Sequence, residues 1–313
     1  MNLQISKQSN TLINLFVDSE GLKNENDLNN CLYSIAKQIK KVDLIILYNS
    51  LTTEELEKLQ SIIENPILKL PKQQEDGSII IEEIKLLENE LLNAQLIKTN
   101  ADNFSKIFNE GFNYSLDNNY EFYSVIEQED SFAIHWFNTT MIYFDENPNI
   151  SVFVPLIRNN VNGTFSGFIN EASMVEGLAE EFGQYDIALL LRYNVINPLG
   201  AVYKVSSIKE YSEQKSDGKF YPYKESIKIT HSYEFFLRMI YNDLKIKTIP
   251  RIGYELKLIN KNIYLSTSSK TPQNIAIIPT EKGGINVKEL QFYLELAKKE
   301  YFFDTDRNVI FNQ

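Results

Sequence analysis

Two short apolar runs near the start of the chain, Thr11 to Val17 (TLINLFV) and Val42 to Tyr48 (VDLIILY), bracket a helical stripe and limit what this chain can fold into. Both runs have the length and the β-branched composition of strands. Between them Leu28, Cys31, Leu32, Ile35 and Ile39 recur at helical spacing. Lys37, Lys40 and Lys41 close the last turn, where cations complement the helix dipole. The opening is therefore βαβ-like. Thr52 and Glu55 form a capping-box pair ahead of Leu56, Leu59, Ile62 and Ile63, which predicts a second helix from about Thr53. Pro66 and Pro71 then break the chain. Ser78 to Ile81 reads as a strand edge running into a helix with Ile84, Leu87 and Leu91 on one face.

Residues 99–119 are rich in Asn, Asp and Gly (TNADNF, NEGF, SLDNN), which predicts a boundary. The expected organisation is an α/β unit over 1–100, a connecting segment over 101–119 and an α+β unit over 120–313. In the second unit EFYSVIE, SFAIHWF, TMIYFD and SVFVPLI read as strands separated by turn-rich pieces. Asn170 to Gly183 reads as a helix, Tyr185 to Tyr193 and Ala201 to Ser207 as strands, and Ser232 to Leu244 as a helix. Strands at Gly253 to Ile259, Asn262 to Ser266 and Asn274 to Ile278 precede a last helix over Val287 to Lys299. Links this short favour antiparallel pairing. The predicted class is α+β: an N-terminal α/β unit, then a larger mixed, mainly antiparallel sheet unit with flanking helices.

With 313 residues the chain buries enough surface to fold without a disulfide or metal staple. Its net charge is −11, and only five basic residues are arginine: Arg158, Arg192, Arg238, Arg251 and Arg307. A binder of the nucleic-acid backbone needs a basic patch to displace counterions, so that class is excluded. An acidic surface instead steers basic partners toward itself. Cys31 is the single cysteine, placed in an apolar stripe with no cation to activate it, and reads as core. No run of eighteen apolar residues occurs, and the first twenty residues lack a secretory pattern. The expected location is cytoplasmic. Heavy use of Asn, Ile and Lys fits an AT-rich bacterial genome.

Motifs that dictate a chemistry are scarce. Neither G-x-G-x-x-G nor G-x-x-x-x-G-K-[ST] follows any strand, and the segment after Val17 (DSEGLKNEND) is anionic and would repel phosphate. His135 and His231 are the only histidines, too few and too scattered for a zinc site, and both read as structural. No metal and no cofactor is expected. Gly163-Thr164-Phe165-Ser166-Gly167 has the wrong spacing for a nucleophile elbow. Glu176 and Glu180, with Glu171 and Glu181 nearby, share the polar face of the expected helix and read as solvated. Asp145, Glu146, Asn147 and Asn149 resemble a calcium loop in composition, without its spacing.

Arg192, ending an apolar strand, and the run Ser266-Thr267-Ser268 locally resemble the Arg and Ser-Thr-Ser elements of the ADP-ribosyltransferase family. The resemblance implies an Arg that anchors a nicotinamide dinucleotide and a Ser-Thr-Ser strand that shapes its pocket. The family's third element, a Glu-x-Glu or Gln-x-Glu, is absent. Glu289, Glu295 and Glu300 fall on or at the end of an expected helix instead. Aromatic residues are plentiful, and Phe220, Tyr221 and Tyr223 fall in a polar loop (SEQKSDGKFYPYKES) where burial is hard to arrange. They are the expected contact for a protein partner. The sequence thus favours a non-enzymatic binding component, an adaptor, an inhibitor or immunity-type protein or a subunit of a larger bacterial assembly, with another protein of basic character as its partner. The alternative is an enzyme whose site is assembled from scattered residues, including a transferase using Arg192 and Ser266 to Ser268.

Overall fold

The computed structural model describes residues 7–258, apart from 75–77, 88–89, 162, 176–178, 180, 193–195 and 227–230. In chain order these are β1 (Thr11–Val17), α1 (Ser19–Lys23), α2 (Glu25–Ala36), β2 (Asp43–Tyr48), α3 (Thr53–Glu64), β3 (Ile67–Gln73), β4 (Ile79–Lys85), β5 (Ala94–Lys98), α4 (Phe104–Asp117), β6 (Phe122–Glu127), β7 (Ser131–Phe132) and α5 (Trp136–Glu146). There follow β8 (Ile150–Val161), β9 (Thr164–Ile169), α6 (Ile187–Arg192), β10 (Val202–Lys204), α7 (Val205–Glu210), β11 (Glu213–Gln214), β12 (Phe220–Tyr221), α8 (His231–Tyr241) and β13 (Lys245–Leu258).

One nine-stranded sheet organises the chain, in the order β5-β2-β1-β6-β10-β8-β13-β7 with β9 on β8. Strands β5, β2, β1, β6, β8 and β13 run one way, and β10, β9 and β7 run against them. The sheet is therefore mixed, which corrects the expectation of mainly antiparallel pairing. The physical reason is the crossover helices: α2 returns the chain between β1 and β2, and α4 returns it between β5 and β6, so each next strand starts from the same edge. Strands from both expected units share this sheet, since β1 pairs β6 from Thr11↔Phe122 to Phe16↔Glu127.

Residues 104–117, read as part of a connecting segment, form helix α4. Asn103 caps it by accepting from Lys106 N–H at 3.1 Å. Gly111 lets the helix lie close: a Cβ there would come 2.3 Å from Asn14 Nδ2 and 2.5 Å from the Tyr123 hydroxyl. Asn14, fully buried on β1, donates to Ile107 O and to that hydroxyl, both at 2.9 Å.

The sheet has a core on each face. On one, α2, α3 and α5 pack Leu28, Cys31, Leu32, Ile63 and Phe137 against Ile13, Leu15, Ile46 and Phe153. On the other, α4, α6 and α8 pack Phe108, Phe112, Leu189 and Phe235 against Leu12, Ile45, Val125 and Val152. The capping box of α3 is present as its sequence predicts. Among the described residues, strands β3 and β4 pair only with each other, and Ile79, Ile80 and Ile81 of β4 are exposed.

Several elements differ from expectation. SFAIHWF and TMIYFD supply only the two-residue β7 and then α5, whose buried Trp136, Phe137, Thr140 and Phe144 follow a helical period. Tyr185 to Tyr193 forms helix α6; Asp186 starts it by accepting from Leu189 N–H at 2.7 Å. Asn170 to Gly183 contains a single 3₁₀ turn, Ala172–Met174, among its described residues. Strand β10 stops at Lys204, where α7 begins. The helix expected after Ile81 is instead β4 and β5. The elements expected beyond residue 258 lie outside the described residues.

Candidate active site

At β1 the order of connections reverses. From β1 the chain builds outward through β2 and β5, and α4 then carries it back to β6 on the other side of β1. In open α/β sheets the crevice outside the carboxyl ends at such a switch point receives ligands. The loops after β1, β2, β5 and β6 meet there, together with the N-terminal end of α4.

Asp18 follows β1 and Gln128 follows β6, and these two residues stitch the strand ends together. Gln128 Nε2 donates to Asp18 Oδ1 at 3.1 Å, and Asp18 N–H donates to Gln128 Oε1 at 3.3 Å. Asp18 Oδ1 also accepts from Gly21 N–H at 2.9 Å, which caps α1. A Cβ on Gly21 would fall 1.8 Å from Gln128 Oε1, so the glycine leaves room for the amide.

The turn beyond Gln128 is fastened from the other side by β13. Tyr254, fully buried, accepts from Glu127 N–H at 3.2 Å and donates its hydroxyl proton to Asp130 Oδ2 at 2.8 Å. Lys257 N–H donates to Asp130 Oδ1 at 2.9 Å, and Lys257 Nζ reaches Asp27 Oδ1 at 2.8 Å. Burial, with the charge of Glu127 adding to it, holds the Asp130 carboxyl well above the usual carboxylate range. Burial likewise raises the Tyr254 phenol, as does the charge of Asp130. Glu129 is thus held between two anchored neighbours at the end of β6.

On the β2 side, Asn49 donates to Ala101 O at 3.1 Å and Thr99 N–H donates to Tyr48 O at 2.9 Å, tying the β2 and β5 loops to the start of α4. Thr99 also donates its hydroxyl proton to the Glu110 carboxylate. Lys106, in the first turn of α4, pairs with Asp102 at 2.9 Å. Beside this rim, Lys23, Asn24, Glu25, Asn26, Asp27 and Lys69 line an open polar recess of about 390 Å³. Among the described residues no three His, Cys, Asp or Glu side chains are arranged to hold a metal ion. Asp130 turns its oxygens inward to Tyr254 and Lys257, away from the rim.

The residues singled out by sequence fall elsewhere. Tyr223 is fully buried, stacked on Phe235 with ring centres 4.4 Å apart, so the expected exposed aromatic loop is corrected at this position. Two asparagines of α4 draw the loop inward. Asn109 accepts from Tyr223 N–H at 3.0 Å and donates to its carbonyl at 2.8 Å. Asn113 does the same for Phe220, at 2.9 and 2.7 Å. Phe220 and Tyr221 are half-buried under Lys209 and Lys215. Arg192 ends helix α6, so the strand end that the ADP-ribosyltransferase resemblance required there is missing. Ser266, Thr267 and Ser268 lie outside the described residues, as do Glu176 and Glu180. Asp145 and Glu146 end α5 rather than forming a loop. His135 is exposed just ahead of α5 instead of sitting on a strand, and His231 is buried, stacked on Phe104.

Asp18, Gln128 and the acidic turn were missed as a set. The signal was available: polar residues directly after two apolar strands, DSEG after β1 and EQED ending β6, mark strand ends on one edge once both strands are known to be parallel.

No family model matches the chain, and no curated protein matches it in sequence. Solved structures do match. The structure of S. aureus TarS 1-349 in complex with UDP-GlcNAc superposes with a TM-score of 0.56 at 12% identity, covering 95% of this chain and 68% of that one. The same TarS fragment in complex with UDP gives a TM-score of 0.50 at 13% identity, covering 95% of this chain and 73% of that one. Against the S. aureus TarS structure the match covers 79% of this chain and 36% of TarS, with a TM-score of 0.50 at 13% identity. At such identities the likeness establishes the fold. The expectation of a non-enzymatic adaptor or complex subunit is corrected by it, because this architecture is one that holds a nucleotide sugar in TarS 1-349. The chain has the fold of the nucleotide-sugar-binding fragment of TarS.

Proposed function

We propose that the protein is a glycosyl transferase that takes its sugar from a nucleoside diphosphate. The observation that carries this reading is the match over 95% of the chain to a structure holding UDP-GlcNAc. The switch-point crevice supports it, because it brings Asp18, Gln128 and Glu129 to the carboxyl edge of the parallel strands. Carboxylates and amides there suit the hydroxyls of ribose and sugar, as acidic residues do at other nucleotide crevices. The N-terminal end of the fourteen-residue helix α4 meets the same edge on its β5 side, two strands from the anionic segment after β1, and favours the diphosphate there. In the reaction the bond between the anomeric carbon and the diphosphate oxygen breaks, an acceptor hydroxyl oxygen bonds to that carbon, and a carboxylate takes its proton. Glu129 is the group assigned to that proton.

Calorimetric titration of the full chain with UDP and with UDP-GlcNAc tests the reading. The wild type is expected to bind UDP, and Gln128→Ala to weaken binding at least about tenfold, the worth of one or two hydrogen bonds. Absence of UDP binding by the wild type would refute it, and turnover of a nicotinamide dinucleotide would replace it.

A further inference from the structure

We infer that the β8–β9 hairpin is the platform on which a saccharide acceptor lies, with Phe165 and Phe168 stacking against its ring and Arg158 beside them. This rests on the transferase reading above and adds the acceptor's chemical class and location.

The register of the sheet fixes where this hairpin stands. Val202 of β10 lies opposite Ser124 of β6 on one side and Phe153 of β8 on the other. Strand β6 ends three residues past that level, at Glu127, whereas β8 continues eight residues past it, to Val161. Strand β8 therefore overshoots β6 by about five residues, roughly 16 Å at the rise of a strand. Because β13 occupies one side of β8 along its whole length, β9 must pair on the other side, in the lane that β10 fills lower down. Strand β9 thus rises one lane from β6, just above the turn that carries Gln128 and Glu129.

Its side chains suit a sugar. Phe168 pairs with Arg158 and Phe165 with Asn160, which places both rings on one face of the sheet. That face is the one covered lower down by α4, α6 and α8, since Val152 and Val154 share it. The rings are 48% and 39% exposed for Phe165 and Phe168, their centres are 5.1 Å apart, and the Arg158 guanidinium lies 5.7 Å from the Phe165 ring. Only three phenylalanines among the described residues are exposed to this degree, and two of them are this pair. An aromatic ring presents its negative face to the axial C–H groups of a pyranose, and a guanidinium offers five donors to the hydroxyls. Glu255, opposite Arg158 on β13, accepts from Asn160 instead. By the register of the strands, the two rings stand beyond the end of β6, on the same edge of the sheet as the donor crevice of the reading above.

The test uses the full chain and two probes, chitotetraose and cellotetraose, in saturation-transfer NMR with irradiation of the aromatic protons, alongside UDP titration. At least one probe is expected to show transfer to its ring protons. Phe165→Ala with Phe168→Ala is expected to weaken that binding at least tenfold, while Phe165→Tyr with Phe168→Tyr retains it. UDP affinity should stay within about twofold in both variants, and unchanged melting reports that the exposed sites leave the fold intact. Saccharide binding that survives the double alanine variant, or a wild type that binds neither probe, overturns the platform. Loss of UDP binding with saccharide binding intact would remove the transferase reading and leave the platform standing.

Discussion

Asp130 carries a proton equilibrium that the fold has displaced upward, and the displacement has a sign that can be measured. Its carboxyl is buried beside Glu127, so it binds a proton more tightly in the folded than in the unfolded chain. The stability this contributes is full below about pH 4, the unfolded value, and is lost as the pH rises through the folded value. Asp130→Asn keeps an acceptor for Lys257 N–H and removes the titration. Urea unfolding at pH 4.5 and 7.5 should therefore show the variant gaining on the wild type as the pH increases. A variant that loses ground to the wild type, or a difference that stays constant with pH, would contradict the assignment. Sequence could not have chosen Asp130 from EQED, since only the packing of Tyr254, more than a hundred residues away, separates the buried carboxyl from its neighbours.

At the scale of elements, α4 does more than cross the sheet, because Asn109 and Asn113 bind the Phe220 to Tyr223 segment as a neighbouring strand would. Asn109→Ala leaves the Tyr223 N–H and carbonyl without these partners. The expected cost is about 2 kcal/mol or more in urea unfolding, with the loss of near-UV signal from the Tyr223–Phe235 stack. A change under about 0.5 kcal/mol would show that the clamp is idle. Legibility divides along the same line. β1, α2, β2 and α3 were readable because strand runs, helical spacing and a capping box all agree locally. α5 and α6 were not, because WFNTTMIYFDE and IALLLR are apolar enough to suit either period, and only the sheet beneath them decides. α4 was hidden by its asparagines, which look like loop chemistry until the segment they bind is in place.

For the whole molecule, the transferase reading predicts that a ligand of the crevice stabilises the entire sheet, since the loops it joins belong to β1, β2, β5 and β6. UDP at a hundredfold excess over its dissociation constant should add about 2.7 kcal/mol and raise the melting temperature by on the order of 5 °C. A melting curve unmoved by saturating UDP would contradict that coupling. The site itself was only half legible: its residues are adjacent to readable strands, but their convergence depends on strand order, which no local pattern encodes. That order also governs how the chain comes to be folded. The strands at the centre of the sheet, β1 and β6, are joined across more than a hundred residues, and β8 meets β13 across nearly another hundred. A chain emerging from the ribosome therefore exposes an incomplete sheet until residue 258 has been made, and such long loop closures slow folding. Newly made protein should accordingly depend on chaperones more than its ordinary size and composition suggest.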